Sequence, residues 1–422
     1  MIPEILLSVA GSVCSIEFAS YLAAKFCRKK FQWMIMDGVD NFPSMDRKAL
    51  QEKYFGKGFD AELGWVRYPE TSGNDGVFRS ENGIWGYKKT TWTINKRGSR
   101  TNPGFENLDD GIISCYGDSF TFSRQVNNNE TWAHFLSEKT NANVLNFGVG
   151  NYGLDQALLR LEREFPKNKT KTVIMGIVPD TMSRILSCWK QFYEYGNTWA
   201  FKPRFVLEKN ELKLLPNLIN SEEKFSEYEK YLEELKKNDF FYETKFKKDI
   251  LKFPYSISIL KNPERNINLI LDVAKQSLYS HFSERYMAAK PEDWGAMQRI
   301  RKINLNWTVN LYKNPQATSL LNALLDRFYV DSKNLGFNPV FVFLPQKNEA
   351  EYFAKNGGFY MPFFKNISKK IKTIDLTTPM INHPDISSLY SEKTEYGAHY
   401  SKKGNQLVSE TIYQELKKLK LV

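Results

Sequence analysis

The sequence predicts a doubly wound α/β domain, a parallel sheet with helices on both faces, carrying a largely helical insertion and preceded by a candidate membrane helix. Two observations predict the sheet. Short apolar runs, Gly111 to Tyr116, Asn143 to Phe147 and Thr172 to Val178, alternate with helical patterns at Glu130 to Lys139 and Asp155 to Phe165, which is the order of a parallel sheet with crossover helices. The alternation resumes near the C-terminus at Pro339 to Pro345 and Thr373 to Leu376, and closes on a helix at Lys403 to Leu419. The anchor rests on a third observation: Ile2 to Phe26 is mostly apolar and long enough to cross about 30 Å of hydrocarbon at ~1.5 Å per residue.

Taken in order, residues 1–30 form the hydrophobic helix. Glu17 sits in its middle, and a central carboxylate costs ~2.5–3.5 kcal/mol on insertion, so the segment reads either as a single-pass anchor or as a packed helix. Arg28-Lys29-Lys30 follow; the positive-inside rule alone would leave the body cytoplasmic, and the side of the membrane stays open. Residues 31–110 form a lead-in of short strands, such as Leu63 to Tyr68 and Thr91 to Asn95, between Gly, Asn and Ser clusters. Residues 111–183 supply the first half of the α/β domain and 321–422 the second. Between them, 184–320 is rich in aromatics and lysine, with a hairpin at Arg204 to Glu208 and Glu211 to Leu215 and helices at Glu222 to Lys237 and Ala317 to Asn334. The rings Trp189, Phe192, Tyr193, Tyr195, Trp199 and Phe201 suit either a ligand-lined mouth or the core of that insertion.

Composition narrows the function classes. Of 422 residues, 42% are hydrophobic and 25% charged, which excludes a disordered, collagen-like or polytopic membrane chain. The net charge of +11 is spread over short lysine runs, so nucleic acid is not expected as a partner and a bilayer surface is the better use. The four Cys include no CxxC pair, and no His/Cys/Asp cluster has ligand spacing, so neither metal nor cofactor is expected.

Two motifs compete for the sheet edge. Gly148-Val149-Gly150-Asn151-Tyr152-Gly153 is a literal G-x-G-x-x-G between strand and helix, which would suit a nucleotide-binding enzyme. The acidic residue expected about 20 residues later comes late, at Asp180, and another strand precedes the motif. The rival is Tyr116-Gly117-Asp118-Ser119-Phe120-Thr121-Phe122, a serine at the abrupt exit of a buried strand. A serine hydroxyl needs a positioned base. Of the four histidines, His134, His281 and His383 suit ordinary polar roles, whereas His399, in the turn before the last helix, suits a residue reaching the same sheet edge.

Together Gly117-Asp118-Ser119-Phe120-Thr121, Asn146 to Gly153 with Asp155-Gln156 behind it, and His399-Tyr400-Ser401-x-x-Gly404-Asn405 resemble the SGNH/GDSL hydrolase superfamily. Leu63-Gly64-Trp65 and Asn95-x-x-Gly98-x-Arg100 resemble the lead-in of its membrane-anchored bacterial members. The resemblance implies a flavodoxin-like three-layer fold, with Ser119 as nucleophile and His399 as general base. It implies an oxyanion hole from the Ser119 and Asn151 amides, with Gly150 beside them, and ester hydrolysis or O-acyl transfer through an acyl-enzyme, without cofactor. The substrate class it implies is an acyl ester, with acetylated cell-surface polysaccharide as the family's usual example. Two departures stand against the pattern. Pro179 falls where a donor asparagine is expected, and Tyr396 where the histidine-orienting aspartate is expected. Glu395 is then the nearest carboxylate for the imidazole, with Asp118 and Asp180 as possible supports. The departures leave open a non-catalytic glycan-binding or scaffolding protein on the same fold.

Overall fold

The computed structural model describes residues 2–38, 55, 58–81, 84–106, 111–280, 295–391 and 398–422. Glu395, Tyr396 and His281 lie outside the described residues. In chain order the elements used below are α1 (Ile2–Lys30), β1 (Ser72–Glu81), β2 (Ile84–Thr93), β3 (Ile113–Gly117), α2 (Ser119–Phe122), α3 (Trp132–Thr140) and β4 (Val144–Asn146). They continue with α4 (Leu154–Glu164), β5 (Thr172–Ile177), α5 (Thr181–Ile185), β6 (Arg204–Glu208), β7 (Glu211–Leu215), α6 (Leu232–Asn238), α7 (Tyr255–Leu260) and α8 (Pro263–Tyr279). Last come α9 (Gly295–Leu311), α10 (Pro315–Leu335), β8 (Asn338–Phe343), α11 (Lys347–Asn356), β9 (Lys372–Asp375) and α12 (Lys402–Lys418).

The chain forms two compact units: Met1–Tyr54 with Ser187–Phe201 and Ser221–Asn304, and Phe55–Leu186 with Lys202–Asn220 and Leu305–Val422. The stretch 184–320 is thus divided between them, the β6–β7 hairpin falling in the second.

The second unit holds the five-stranded sheet, in the order β9-β8-β5-β3-β4, with every pairing parallel. The first strand in sequence lies inside, with the next on one flank and the remaining three on the other, so the direction of winding reverses between β3 and β5. Open α/β folds bind ligands at the strands' carboxyl ends beside such a reversal. All five residues of β3 and all six of β5 are buried, as strands covered on both faces must be. On one face Ile113, Cys115, Ile174, Val340, Val342 and Ile374 join Trp132 and Leu136 of α3 and Val408, Ile412 and Leu416 of α12 in one core. The alternate residues pack oppositely: the Tyr116 ring stacks on Phe147 with centroids 5.1 Å apart, and α4 packs against β3 and α10. The lead-in contributes the antiparallel β1–β2 hairpin, longer than the strand pieces the sequence suggested.

The first unit is helical. Its aromatic stripe is core: Trp189 stacks on Phe201 at 5.0 Å, Phe192 meets Phe246 at 5.1 Å, and of the six rings only Trp199 is exposed. The helix read at Glu222 to Lys237 is broken, with a 3-10 turn at Tyr228–Tyr231 before α6. Among the described residues one helix, at the N-terminus, is long and apolar enough to cross a membrane by length and composition.

Candidate active site

The serine turn is built by close backbone approach. A Cβ on Gly117 would lie 1.7 Å from the Gly176 carbonyl oxygen of the neighbouring strand, so only glycine permits the chain to leave β3 there. Thr121 Oγ1 donates to that same Gly176 carbonyl at 2.5 Å. Asp118 is the N-cap of α2: its Oδ1 accepts from Phe120 N at 2.8 Å, and its Oδ2 accepts from Val178 N at 2.9 Å and an Arg184 Nη at 3.1 Å. Full burial holds the Asp118 carboxyl above its ordinary range, against the pull of Arg184 and these amides. Asp118 is therefore engaged in starting the helix and tying β3 to β5. Ser119, the first helical residue, has an amide that no carbonyl of its own helix can reach.

The second motif crosses this turn. A Cβ on Gly148 would meet Phe122 N at 2.4 Å, and one on Gly150 would lie 4.0 Å from Ser119 Cβ. Asn151 adopts φ +66°, a left-handed conformation that Asn tolerates better than most residues. The Gly150 carbonyl accepts from Trp65 Nε1 at 2.8 Å, and Tyr152 Oη donates to the Trp65 carbonyl at 2.5 Å. Behind the turn, buried Asp155 pairs with buried Lys202 and accepts from Gln156 N at 2.9 Å. This carboxylate and its lysine occupy the start of α4, where a dinucleotide fingerprint would hold pyrophosphate. Gly148 serves close packing on the helix of Ser119, and Gly153 close packing on Asp155 and Arg184.

The histidine arrives from the far end of the chain. Ser391 N donates to the His399 carbonyl at 2.8 Å and Ser401 N to that of Leu389 at 2.9 Å, forming a short ladder. The hydroxyls of Tyr390 and Tyr400 both reach the Pro345 carbonyl beyond β8, at 2.9 and 3.1 Å. A Cβ on Gly404 would lie 2.0 Å from the Leu389 carbonyl oxygen, which explains the glycine of the terminal motif. Asn405 Oδ1 accepts from Trp132 N at 3.1 Å, joining α12 to α3. Held this way, His399 Nε2 lies 2.8 Å from Ser119 Oγ across 280 positions of sequence. Both residues are nearly buried, at 5% and 6% exposure.

Three further residues support this arrangement; Phe120 and Arg100 lie in motifs without a role assigned there, and Gln125 lies in none. Phe120 stacks on the imidazole with centroids 4.6 Å apart. Gln125, buried at φ +70°, accepts through Oε1 from His399 N at 3.1 Å and from Ser391 Oγ at 2.7 Å. Arg100 donates to the carbonyls of Phe122, Ser123 and Val126, each at 2.7 Å, and so closes the segment after the serine. The Arg100 of the Asn-x-x-Gly-x-Arg pattern was the available signal; Gln125 carried none.

The remaining candidates have other surroundings. Asp180 Oδ1 accepts from Thr308 Oγ1 at 2.8 Å, and its Oδ2 lies 3.6 Å from Arg184. Pro179 has no N–H, its carbonyl accepts from Tyr312 Oη at 3.0 Å, and the Val178 amide is given to Asp118. His134 bonds Asn102 Oδ1 at 2.8 Å, and burial lowers its pKa. His383 is half-buried and bonds the Asp385 carbonyl at 2.8 Å. Among the described residues no group of three or more His, Cys, Asp or Glu is placed to hold a metal ion.

No family model and no curated protein matches the chain. Solved structures similar to it include one described as a lipolytic protein of the G-D-S-L family from Desulfitobacterium hafniense, 12% identical with a TM-score of 0.31, covering 72% of this chain and 98% of that one. A lipase/acylhydrolase from Enterococcus faecalis is 10% identical with a TM-score of 0.32, covering 73% and 95%. A two-domain esterase active on acetylated mannans is 11% identical with a TM-score of 0.31; the match covers 74% of this chain and 50% of that one.

Proposed function

We propose that the protein is a serine-dependent ester hydrolase of the SGNH type, acting on acyl esters through an acyl-enzyme, and anchored in a membrane by α1. The observation that carries the chemistry is the 2.8 Å contact between Ser119 Oγ and His399 Nε2 at the carboxyl end of a parallel sheet. An imidazole in that position takes the hydroxyl proton as the oxygen attacks an ester carbonyl, and returns it to the leaving alcohol. The negative charge on the tetrahedral carbonyl oxygen falls to the amides of Ser119 and Asn151, with Gly150 leaving the approach open and the Asn151 side-chain amide as a further donor. Water then attacks the acyl-serine with His399 as base; a sugar hydroxyl in its place makes the same site an O-acyltransferase. Glu395 is the residue proposed to orient the imidazole.

The third block brings no donor at Pro179, and one missing oxyanion donor costs on the order of 3 kcal/mol in comparable sites, so turnover on simple esters is expected to be slow. Acetylated cell-surface polysaccharide is the substrate class proposed, on the resemblance of the motifs to membrane-anchored members of the superfamily. In the purified full chain, Ser119→Ala and His399→Ala should each lower release of p-nitrophenol from p-nitrophenyl acetate by about 10³-fold or more. A fluorophosphonate should label the parent chain at Ser119 alone. Hydrolysis unaffected by Ser119→Ala would refute the assignment.

A further inference from the structure

The N-terminal helix does not stand alone in its unit. It packs against α7 and α8, which also pack against each other. The contact follows one stripe of α1: Tyr21 lies 5.2 Å from the Tyr255 ring, Ala24 and Cys27 are buried, and Cys27 Sγ lies 4.0 Å from the Ile270 carbonyl. Glu17, the carboxylate that counts against insertion, accepts from Ser256 N at 2.9 Å and Ser256 Oγ at 2.7 Å, and also from Tyr255 N. Its charge is met by the start of α7, so water is not needed to satisfy it.

The length of α1 then places α7 and α8. Upstream of Glu17 the helix is exposed from Glu4 to Ile16, about 20 Å at ~1.5 Å per residue, short of the ~30 Å hydrocarbon core. A full span must use the next turns as well, where Phe18, Leu22 and Phe26 are exposed on the side away from α7 and α8. Those turns are the ones that α7 and α8 cover. Both segments carry exposed apolar residues: Phe253, Ile257 and Leu260 on and before α7, and Ile267, Leu271 and Leu278 on α8. Ile257 and Leu260, three apart, and Ile267, Leu271 and Leu278, at i, i+4 and i+11, each keep to one side of their helix, and Phe253 precedes α7. Phe253 is 73% exposed and Leu260 63%. Lys252, Lys261 and Lys275 edge the stripes, Glu264 and Asp272 are the acidic residues of α8, with Asp272 paired to Arg299 at 2.7 Å, and Arg28, Lys29 and Lys30 end α1.

We infer that α7 and α8 form an interfacial platform that enters the same bilayer as α1, with their apolar stripes among the acyl chains and the lysines at the headgroups. A bilayer is the occupant that fits because the helix they pack on is long and apolar enough to span one, and because basic residues border them. This rests on the proposed anchoring by α1.

The test uses the full chain with Cys14→Ser, the other three cysteines being buried. Spin labels are placed at Ile257→Cys, Leu271→Cys and, as an aqueous reference, Lys213→Cys on exposed β7. After reconstitution with phosphatidylcholine–phosphatidylglycerol vesicles and flotation, labels at 257 and 271 should gain oxygen contact and lose contact with a nickel chelate several-fold relative to 213. Chain that fails to float overturns the anchoring and the platform together. Chain that floats while 257 and 271 stay as open to nickel as 213 overturns the platform alone. Labels shielded from both oxygen and nickel also overturn it, because a second copy or another protein then covers the stripe.

Discussion

At the residue scale, the position of the imidazole depends on a glutamine as much as on the ladder beside it. Gln125 Oε1 accepts from both the His399 amide and Ser391 Oγ, so one buried side chain fixes two points of the strand that carries the histidine. Gln125→Leu leaves the His399 amide buried without this acceptor, a cost of about 1–3 kcal/mol, while Ser391 Oγ keeps the His399 carbonyl at 3.1 Å, and it lets His399 drift from the serine. We expect kcat for p-nitrophenyl acetate to fall roughly tenfold or more with KM little changed, since orientation rather than binding is lost; a rise in KM at constant kcat would contradict this role. Ser119 and His399 were legible in the sequence because a glycine-bracketed strand exit and a turn before a last helix are local patterns. Gln125 was not, because its value comes from a contact 274 positions away. The supporting roles considered for Asp118 and Asp180 were obscured for the same reason: short motifs name carboxylates, whereas Val178, Arg184 and Thr308 decide what they bond.

Among the elements, the β8–α11 junction carries the clearest pH dependence. Glu349 closes a capping box with Gln346, whose amide reaches its Oε2 at 2.7 Å, yet the residue is buried. Burial, reinforced by nearby Asp180, pushes its carboxyl from 4.5 up to about 8. The folded state therefore holds a proton that the unfolded chain releases. The associated stability is fully present below about pH 4.5 and is lost as pH rises toward 8, at up to about 1.4 kcal/mol per unit. Glu349→Gln keeps the cap and removes the proton, so urea midpoints should flatten across that window; an unchanged slope would place the titration elsewhere. The strands and long helices of the sheet were legible because period and apolar run agree with burial on both faces. The helical stretch after 220 was not: Tyr228 is drawn into the aromatic core with Trp189, at 5.8 Å, and the helix breaks to allow it.

For the whole molecule, 280 positions separate Ser119 from His399, so their contact closes a loop of most of the chain. Such long-range closure is slow relative to helix formation. In refolding from urea, far-UV dichroism should return well before ester hydrolysis, measured by delayed addition of p-nitrophenyl acetate; simultaneous recovery would show that the sheet edge assembles with the helices. The sequence was read as two α/β halves on either side of one long insertion, but apolar periodicity cannot say which segments of an insertion belong to which core. The β6–β7 hairpin and the strip from 187 to 201 were therefore assigned together, although they part. Each unit is a braid of three separated stretches of one polypeptide. No single cut yields either body whole, so trimming either end removes strands or helices from a partner stretch far away. Shuffling that treats this protein as beads on a string would scramble both bodies at once, and an insertion at 186/187 or 201/202, where the chain passes from one unit to the other through buried residues, would disturb both.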